Sequence, residues 1–234
     1  ATTVQCSTTS TTDTTFPVGN PNDRNYQGNL PVQVVLLVDP GATVSGNGLA
    51  VSNAGTGGIS VTNSGAIVVD AGNTPTAGGT AALSLSAAGG PITYTGGSIT
   101  NNGTGSAFNA TQTGGAGSVN INISGSVTAA TGEGVVVRDV ATSTGISVTT
   151  NSVTALNAGQ DGIDEQTQSL TGNPTVVANG NIQAGNAGIV NAVLNAAATG
   201  NINVTANGSI DARFGVDAEN FGAGSTSVTT VGPV

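Results

Sequence analysis

Three families of short alternating strings recur along this chain, always in the same order. In the first, Ile59-Ser60-Val61, Ile92-Thr93-Tyr94, Val119-Asn120-Ile121, Ile146-Ser147-Val148, Pro174-Thr175-Val176 and Ile202-Asn203-Val204 follow one another at separations of 33, 27, 27, 28 and 28 residues. A second family sets one apolar anchor shortly after each string, at Ile67, Ile99, Val127, Val153, Ile182 and Ile210. The third runs through Gly48-Leu49, Gly134-Val135, Gly162-Ile163, Gly188-Ile189 and Gly215-Val216, with Leu83 and Phe108 holding the same place in two less regular repeats. Alternation at period two belongs to strands, and the Gly, Asn and Ser that end each string belong to turns.

Three strand segments per repeat, cycling in fixed order at near-constant spacing, are what one coil of a solenoid requires. The spacing predicts an all-β chain over residues 32–234: a right-handed, single-stranded parallel β-helix, or three-sided β-solenoid, of about seven coils of roughly 27 residues. At the usual strand separation such a rod is roughly 35 Å long. A β-sandwich also has short strands and frequent turns, but it gives no reason for the cyclic order. Residues 1–31 are rich in Thr and Asn, contain Pro17, Pro21 and Pro31, and show no sustained period, so they read as an irregular leader or cap.

The alternation assigns the faces. Ile59, Val61, Ile92, Tyr94, Val119, Ile121, Ile146, Val148, Ile202 and Val204 point inward, while Ser60, Thr93, Asn120, Ser147, Thr175 and Asn203 face water. Each buried Val or Ile contributes about 1.5–3 kcal/mol, and a single coil cannot cover its own ends, so isolated repeats are not expected to fold. Glycine before the third strand, at 48, 134, 162, 188 and 215, answers either a positive φ or a close backbone approach. A phosphate-cradling glycine loop needs a following helix, commonly with a lysine; the chain has no helical period and no lysine. Two stretches, 71–80 and 165–173, read as loops inserted between strands.

Composition narrows the function. There are 12 acids against 3 arginines, a formal net charge of −9, and no Lys, His, Met or Trp among 234 residues. Such a chain carries no electrostatic footprint for nucleic acid or an anionic membrane surface. Its longest apolar run, Val32–Val38, is interrupted by Gln33 and is about a third of a membrane span. Cys6 has no second cysteine to meet inside the chain. It reads as an incidental thiol in a loose segment, or as bonded to a cysteine of a longer protein. The start at Ala-Thr-Thr, without a basic or apolar leader, is compatible with a mature secreted form.

One cluster could carry chemistry. Asp139, Asp161, Asp164, Glu165, Asp217 and Glu219 lie in or beside the third strand of successive coils, together with Arg138 and Arg213. Stacked, they form an acidic stripe, expected as a solvated face with local pairing. A weak calcium site or a protein-contact patch is the competing reading, and a catalytic centre is the third. Carbohydrate-cleaving β-helices combine carboxylates with a base or a charge-stabilising cation, and here only arginine is on hand for the cationic part. Without histidine, no Ser-His-Asp, Cys-His or ordinary zinc constellation can be assembled, so no catalytic or cofactor-binding residue is assigned and no cofactor is expected. The outward pairs of the first family form a hydroxyl and amide ladder that is similar to the rows of ice-binding solenoids, but the mixture of Ser, Asn and Val makes it irregular.

The strings Gly57-Gly58-Ile59-Ser60-Val61-Thr62-Asn63-Ser64-Gly65-Ala66-Ile67, Ser152-Val153-Thr154-Ala155 and Ala178-Asn179-Gly180-Asn181-Ile182-Gln183-Ala184-Gly185-Asn186-Ala187-Gly188-Ile189 resemble the passenger domains of bacterial autotransporter adhesins, over roughly residues 42–231. The resemblance implies export to the cell surface and anchoring by a C-terminal outer-membrane β-barrel. It also implies non-catalytic attachment to a host cell-surface or matrix protein or glycan, to abiotic surfaces, or to sibling cells. Two-partner secreted exoproteins share the solenoid. Passengers with protease or esterase chemistry use inserted domains or triads, and this sequence offers no positions that match them.

Overall fold

In the computed structural model, which describes residues 1–7, 25–75 and 81–234, the three string families become three parallel sheets. Val119–Ile123, Val127–Ala129 and Val135–Arg138 make one coil, and each strand pairs in parallel with its equivalents in the coils before and after. Among the described residues the sheets hold nine, seven and eight strands. The chain is therefore a β-solenoid of about seven turns, with roughly 27 residues to a turn.

Strand register matches the three families residue for residue. In the first sheet Ile59 lies beside Ile92, Ile92 beside Val119, and Val119 beside Ile146. The second sheet stacks Ile67, Ile99, Val127, Val153, Ile182 and Ile210. The third stacks Leu49, Leu83, Phe108, Val135, Ile163, Ile189 and Val216. Most of these side chains are fully buried in one continuous cluster, because each coil covers the apolar rim of its neighbour. The largest is Tyr94, which packs edge-on against Phe108 with ring centroids 5.3 Å apart. Asn63 Nδ2 donates to its hydroxyl, which donates to the carbonyl of Gly97, and burial pushes the phenol up to about 12.

Glycine before the third strand serves both of its expected purposes. Gly48 has φ of 80°, the left-handed region. Gly162 instead marks a close approach: a Cβ there would lie 2.6 Å from the carbonyl oxygen of Gly188 and 2.6 Å from Ile182 Cγ2. Buried asparagines hold three of the other corners. Asn53, Asn63 and Asn101 each accept a hydrogen bond from the backbone N–H two residues on, at 3.1, 3.1 and 2.9 Å, and Asn101 Nδ2 donates to the carbonyls of Thr104, Gly105 and Ser106. These Asx turns satisfy backbone groups that a sharp corner removes from the ladders.

Two expectations change. Within residues 1–31, expected to be an irregular leader or cap, Thr2–Cys6 and Asn25–Gly28 are strands that pair in parallel with Val34–Val38 and Leu49–Asn53. Val4 and Cys6 pack against the core from the first of these, so Cys6 lies in a strand and not in a loose segment. Residues 8–24, with Pro17, Pro21 and Arg24, lie outside the described residues, as do residues 76–80 of the expected 71–80 loop. In the other stretch read as a loop, 165–173, the first three residues belong to the strand Ile163–Thr167. Their inward positions are filled by Glu165 and Thr167, and those polar side chains conceal the strand period from a hydropathy reading.

Candidate functional site

The strand Ile163–Thr167 divides the acidic stripe in two. Its even positions face outward and its odd positions face the core, because Ile163 is fixed inward between Val135 and Ile189. Glu165 is therefore an inward residue, between Val137 of the preceding coil and Asn191 of the following one. Both Glu165 and Asn191 are 0% exposed, and none of their four side-chain oxygen and nitrogen atoms has a hydrogen-bond partner among the described residues. Burial drives the Glu165 carboxyl well above the ordinary glutamate range; the Asp139 charge pushes it further and Arg138 opposes. Burial thus favours the neutral form of this residue, in a column that is apolar apart from Glu165 and Asn191.

Around it the remaining carboxylates are partnered. Asp139 accepts from Thr167 Oγ1 at 2.8 and 2.9 Å and from the backbone N–H of Gln168 at 2.8 Å; burial still raises its carboxyl against those bonds. Asp164, on the outer side of the same strand, is covered by Arg138, whose guanidinium donates to the Asp164 carboxylate and, at 2.7 Å, to its backbone carbonyl. Burial raises the Asp164 carboxyl, and the Arg138 charge works the other way. Asp161 accepts from Asn186 Nδ2 at 2.8 Å and from the N–H of Ala187 at 2.9 Å, clamping the corner that precedes the strand.

Asp217 and Glu219 stand apart from this group. They are exposed on Phe214–Asn220, two rungs beyond Ile163–Thr167 in the third sheet. The stripe expected as a solvated face is thus three buried acids (Asp139, Asp164 and Glu165), a half-buried corner clamp (Asp161) and an exposed pair (Asp217 and Glu219). The arginines diverge as well: Arg213 lies over the Phe214 ring at 5.1 Å, three rungs from Arg138. Among the described residues, no group of three or more Asp, Glu, Cys or His side chains is arranged to hold a metal ion.

The outer face of the first sheet has a different chemistry. Among the described residues its nine strands contain no charged residue, although the chain as a whole carries a net charge of −9. Ser60, Thr93, Asn120, Ser147, Thr175 and Asn203 form one in-register row, and Thr62, Thr95, Asn122, Thr149, Val177 and Thr205 form the parallel row two residues on. Midway along, Thr93, Thr95, Asn120, Asn122, Ser147 and Thr149 line a shallow depression of about 150 Å³. Another depression, of about 340 Å³, lies at the corner between the third and first sheets, where Asn29, Pro31, Gly55 and Gly89 offer it few functional groups.

Sequence reasoning overlooked the corner asparagines and the Glu165–Asn191 neighbours. An Asn-x-Gly signal was present for the former at 53–55, 63–65 and 101–103. No family model matches this chain, and no curated protein and no solved structure matches it either.

Proposed function

We propose that this chain is the passenger segment of a bacterial autotransporter adhesin: a non-catalytic surface rod that mediates attachment to host or abiotic surfaces or between cells. The full-length protein would be held at the cell surface by a C-terminal outer-membrane β-barrel, as the resemblance of the repeats implies. The observation that carries the reading is the outer face of the first sheet, where uncharged hydroxyl and amide side chains repeat in register from coil to coil. The inner columns build the fold without those outward residues, which leaves a long row of similar groups for contact with a partner.

Shallow repeated contacts are weak one at a time and gain strength in number. Attachment should therefore rise steeply with the density of immobilised protein. The test places the purified chain on beads at graded densities and measures retention on epithelial cells, on matrix-coated plastic and on beads bearing the same chain. No retention on any of these at any density would refute the adhesin reading.

A further inference from the structure

The uncharged face also indicates what kind of ligand it suits, and the inference rests on the adhesive reading of that face. We propose that the first-sheet depression binds a neutral, extended polysaccharide laid along the solenoid axis, with one sugar unit to each coil. Three observations bear on it.

The first is spacing. Successive coils repeat at about 4.8 Å, close to the advance of one pyranose unit along an extended glycan. Thr93/Thr95, Asn120/Asn122 and Ser147/Thr149 present a pair of outward polar side chains on three consecutive coils, so a ligand with that advance meets hydroxyl or amide groups at each step. The depression they line, about 150 Å³ in volume, admits roughly one sugar ring at its centre.

The second is composition. Thr on an exposed strand needs no explanation beyond β-propensity, but Asn is depleted from strands. Asn120, Asn122 and Asn203 nevertheless occupy outward, exposed strand positions. Elsewhere in this chain buried asparagines close corners by bonding to backbone, as at Asn53 and Asn101. Asn122 lies inside the strand Val119–Ile123, one residue before its end, with its side chain outward and exposed. An amide offers a donor and an acceptor on one planar group, which matches the paired hydroxyls of a sugar.

The third is charge. An anionic glycan would be repelled by a protein of net charge −9, and a cationic partner would find no counter-charge among the residues that line the depression. A neutral polyol meets neither obstacle.

Nuclear magnetic resonance tests the proposal on the ¹⁵N-labelled chain, titrated in turn with cellohexaose, xylohexaose, mannohexaose and, as the anionic comparison, hexagalacturonate. The side-chain amides of Asn120 and Asn122 should shift with at least one neutral hexasaccharide and not with hexagalacturonate, and added sodium chloride should leave the affinity unchanged. Asn122→Ala should weaken binding up to about tenfold, the effect of one lost neutral hydrogen bond. Glu219→Ala, on the third sheet, should leave it unaltered. Since Asn122 is exposed, its replacement leaves the core intact, and the backbone spectrum verifies this directly. Absence of shifts with all three neutral sugars, shifts confined to other sheets, or equal binding of hexagalacturonate would each overturn the proposal. Bead attachment that persists without any sugar-induced shift would remove the glycan site, favour a protein ligand, and leave the adhesin reading standing. Sugar-induced shifts without attachment would do the reverse.

Discussion

Replacing Glu165 by glutamine should make the solenoid more stable at neutral pH and remove most of its alkaline sensitivity in that region. The carboxyl is fully buried, lies between Val137 and Asn191, and lacks a hydrogen-bond partner among the described residues, so burial favours its neutral form. In the unfolded chain it ionises near the ordinary glutamate value, while burial raises the folded value well above it. Between those two values the folded state holds a proton that the unfolded state has released. The stability linked to this group is therefore fully present below the unfolded pKa and is lost as pH rises towards the folded one, at about 1.4 kcal/mol per pH unit. Each pH unit inside that window therefore removes an appreciable fraction of the stability of a typical domain. The groups that act on Glu165 are Asp139 and Asp164, whose charges disfavour its ionisation, and Arg138, which favours it; the flanking strand Ala187–Val193 adds no ionisable side chain. Glutamine keeps the size and the polarity but carries no proton to lose. Urea unfolding of both proteins at half-unit steps from pH 4.5 to pH 7.5 measures the difference, with Asp139 and Asp164 common to both. A gap in stability that stays constant over that range, or that narrows as pH rises, would refute the reasoning.

Other replacements test the corners and the packing. Gly162→Ala should destabilise by about 1–3 kcal/mol, since its Cβ meets Gly188 O and Ile182 Cγ2, each at 2.6 Å; thermal melts at constant pH measure it. Asn101→Ala should cost about 1–3 kcal/mol and speed amide exchange at Gly103, because a buried corner loses both an acceptor and a donor. Arg138→Ala should cost about 1–3 kcal/mol by leaving Asp164 and its carbonyl without their guanidinium partner, and stability should then become more sensitive to rising pH. Ile163→Ala should cost about 2–5 kcal/mol, as the cavity is walled by Val135 and Ile189 on adjacent coils and cannot collapse.

How far the sequence revealed the fold depended on which inner column was read. Leu49, Leu83, Phe108, Val135, Ile163, Ile189 and Val216 are apolar at every coil, so their stacking is legible from the order of residues alone. The column two residues further on runs Val51, Leu85, Ala110, Val137, Glu165, Asn191 and Ala218. There the apolar signal fails at Glu165, and a strand read by hydropathy dissolves into an apparent loop. The same difficulty hid Thr2–Cys6, whose inward positions include a single aliphatic residue, Val4. That strand is defined by its pairing with Val34–Val38, which local pattern alone does not display. For the acidic stripe, the sequence puts Asp164, Glu165, Asp217 and Glu219 in strands of the third sheet and Asp139 and Asp161 beside them, but it does not give their two sides, because facing depends on strand phase and the neighbouring Ile163 fixes it.

In a solenoid each residue class answers to a separate demand. Inward positions must fill a column, and corners must turn without stranding backbone groups, which Gly162 and Asn101 accomplish in different ways. Outward strand positions have only β-propensity to satisfy, so a departure from it there cannot be charged to folding. Asn122 is such a departure, as is Asn120 apart from the bond its amide donates to Ser118 Oγ, and both fall on the sheet whose described strands carry no charge. The charged strand residues are elsewhere: Arg138, Asp164, Glu165, Asp217 and Glu219 on the third sheet, and Asp211 on the second. Ionic strength therefore distinguishes the faces. Screening over about 8 Å at physiological salt alters any contact made through Asp217 and Glu219, whereas a contact made through the hydroxyl and amide rows does not respond to it. Attachment that is indifferent to salt thus locates the working surface on the first sheet, and attachment that changes with salt moves it to the third.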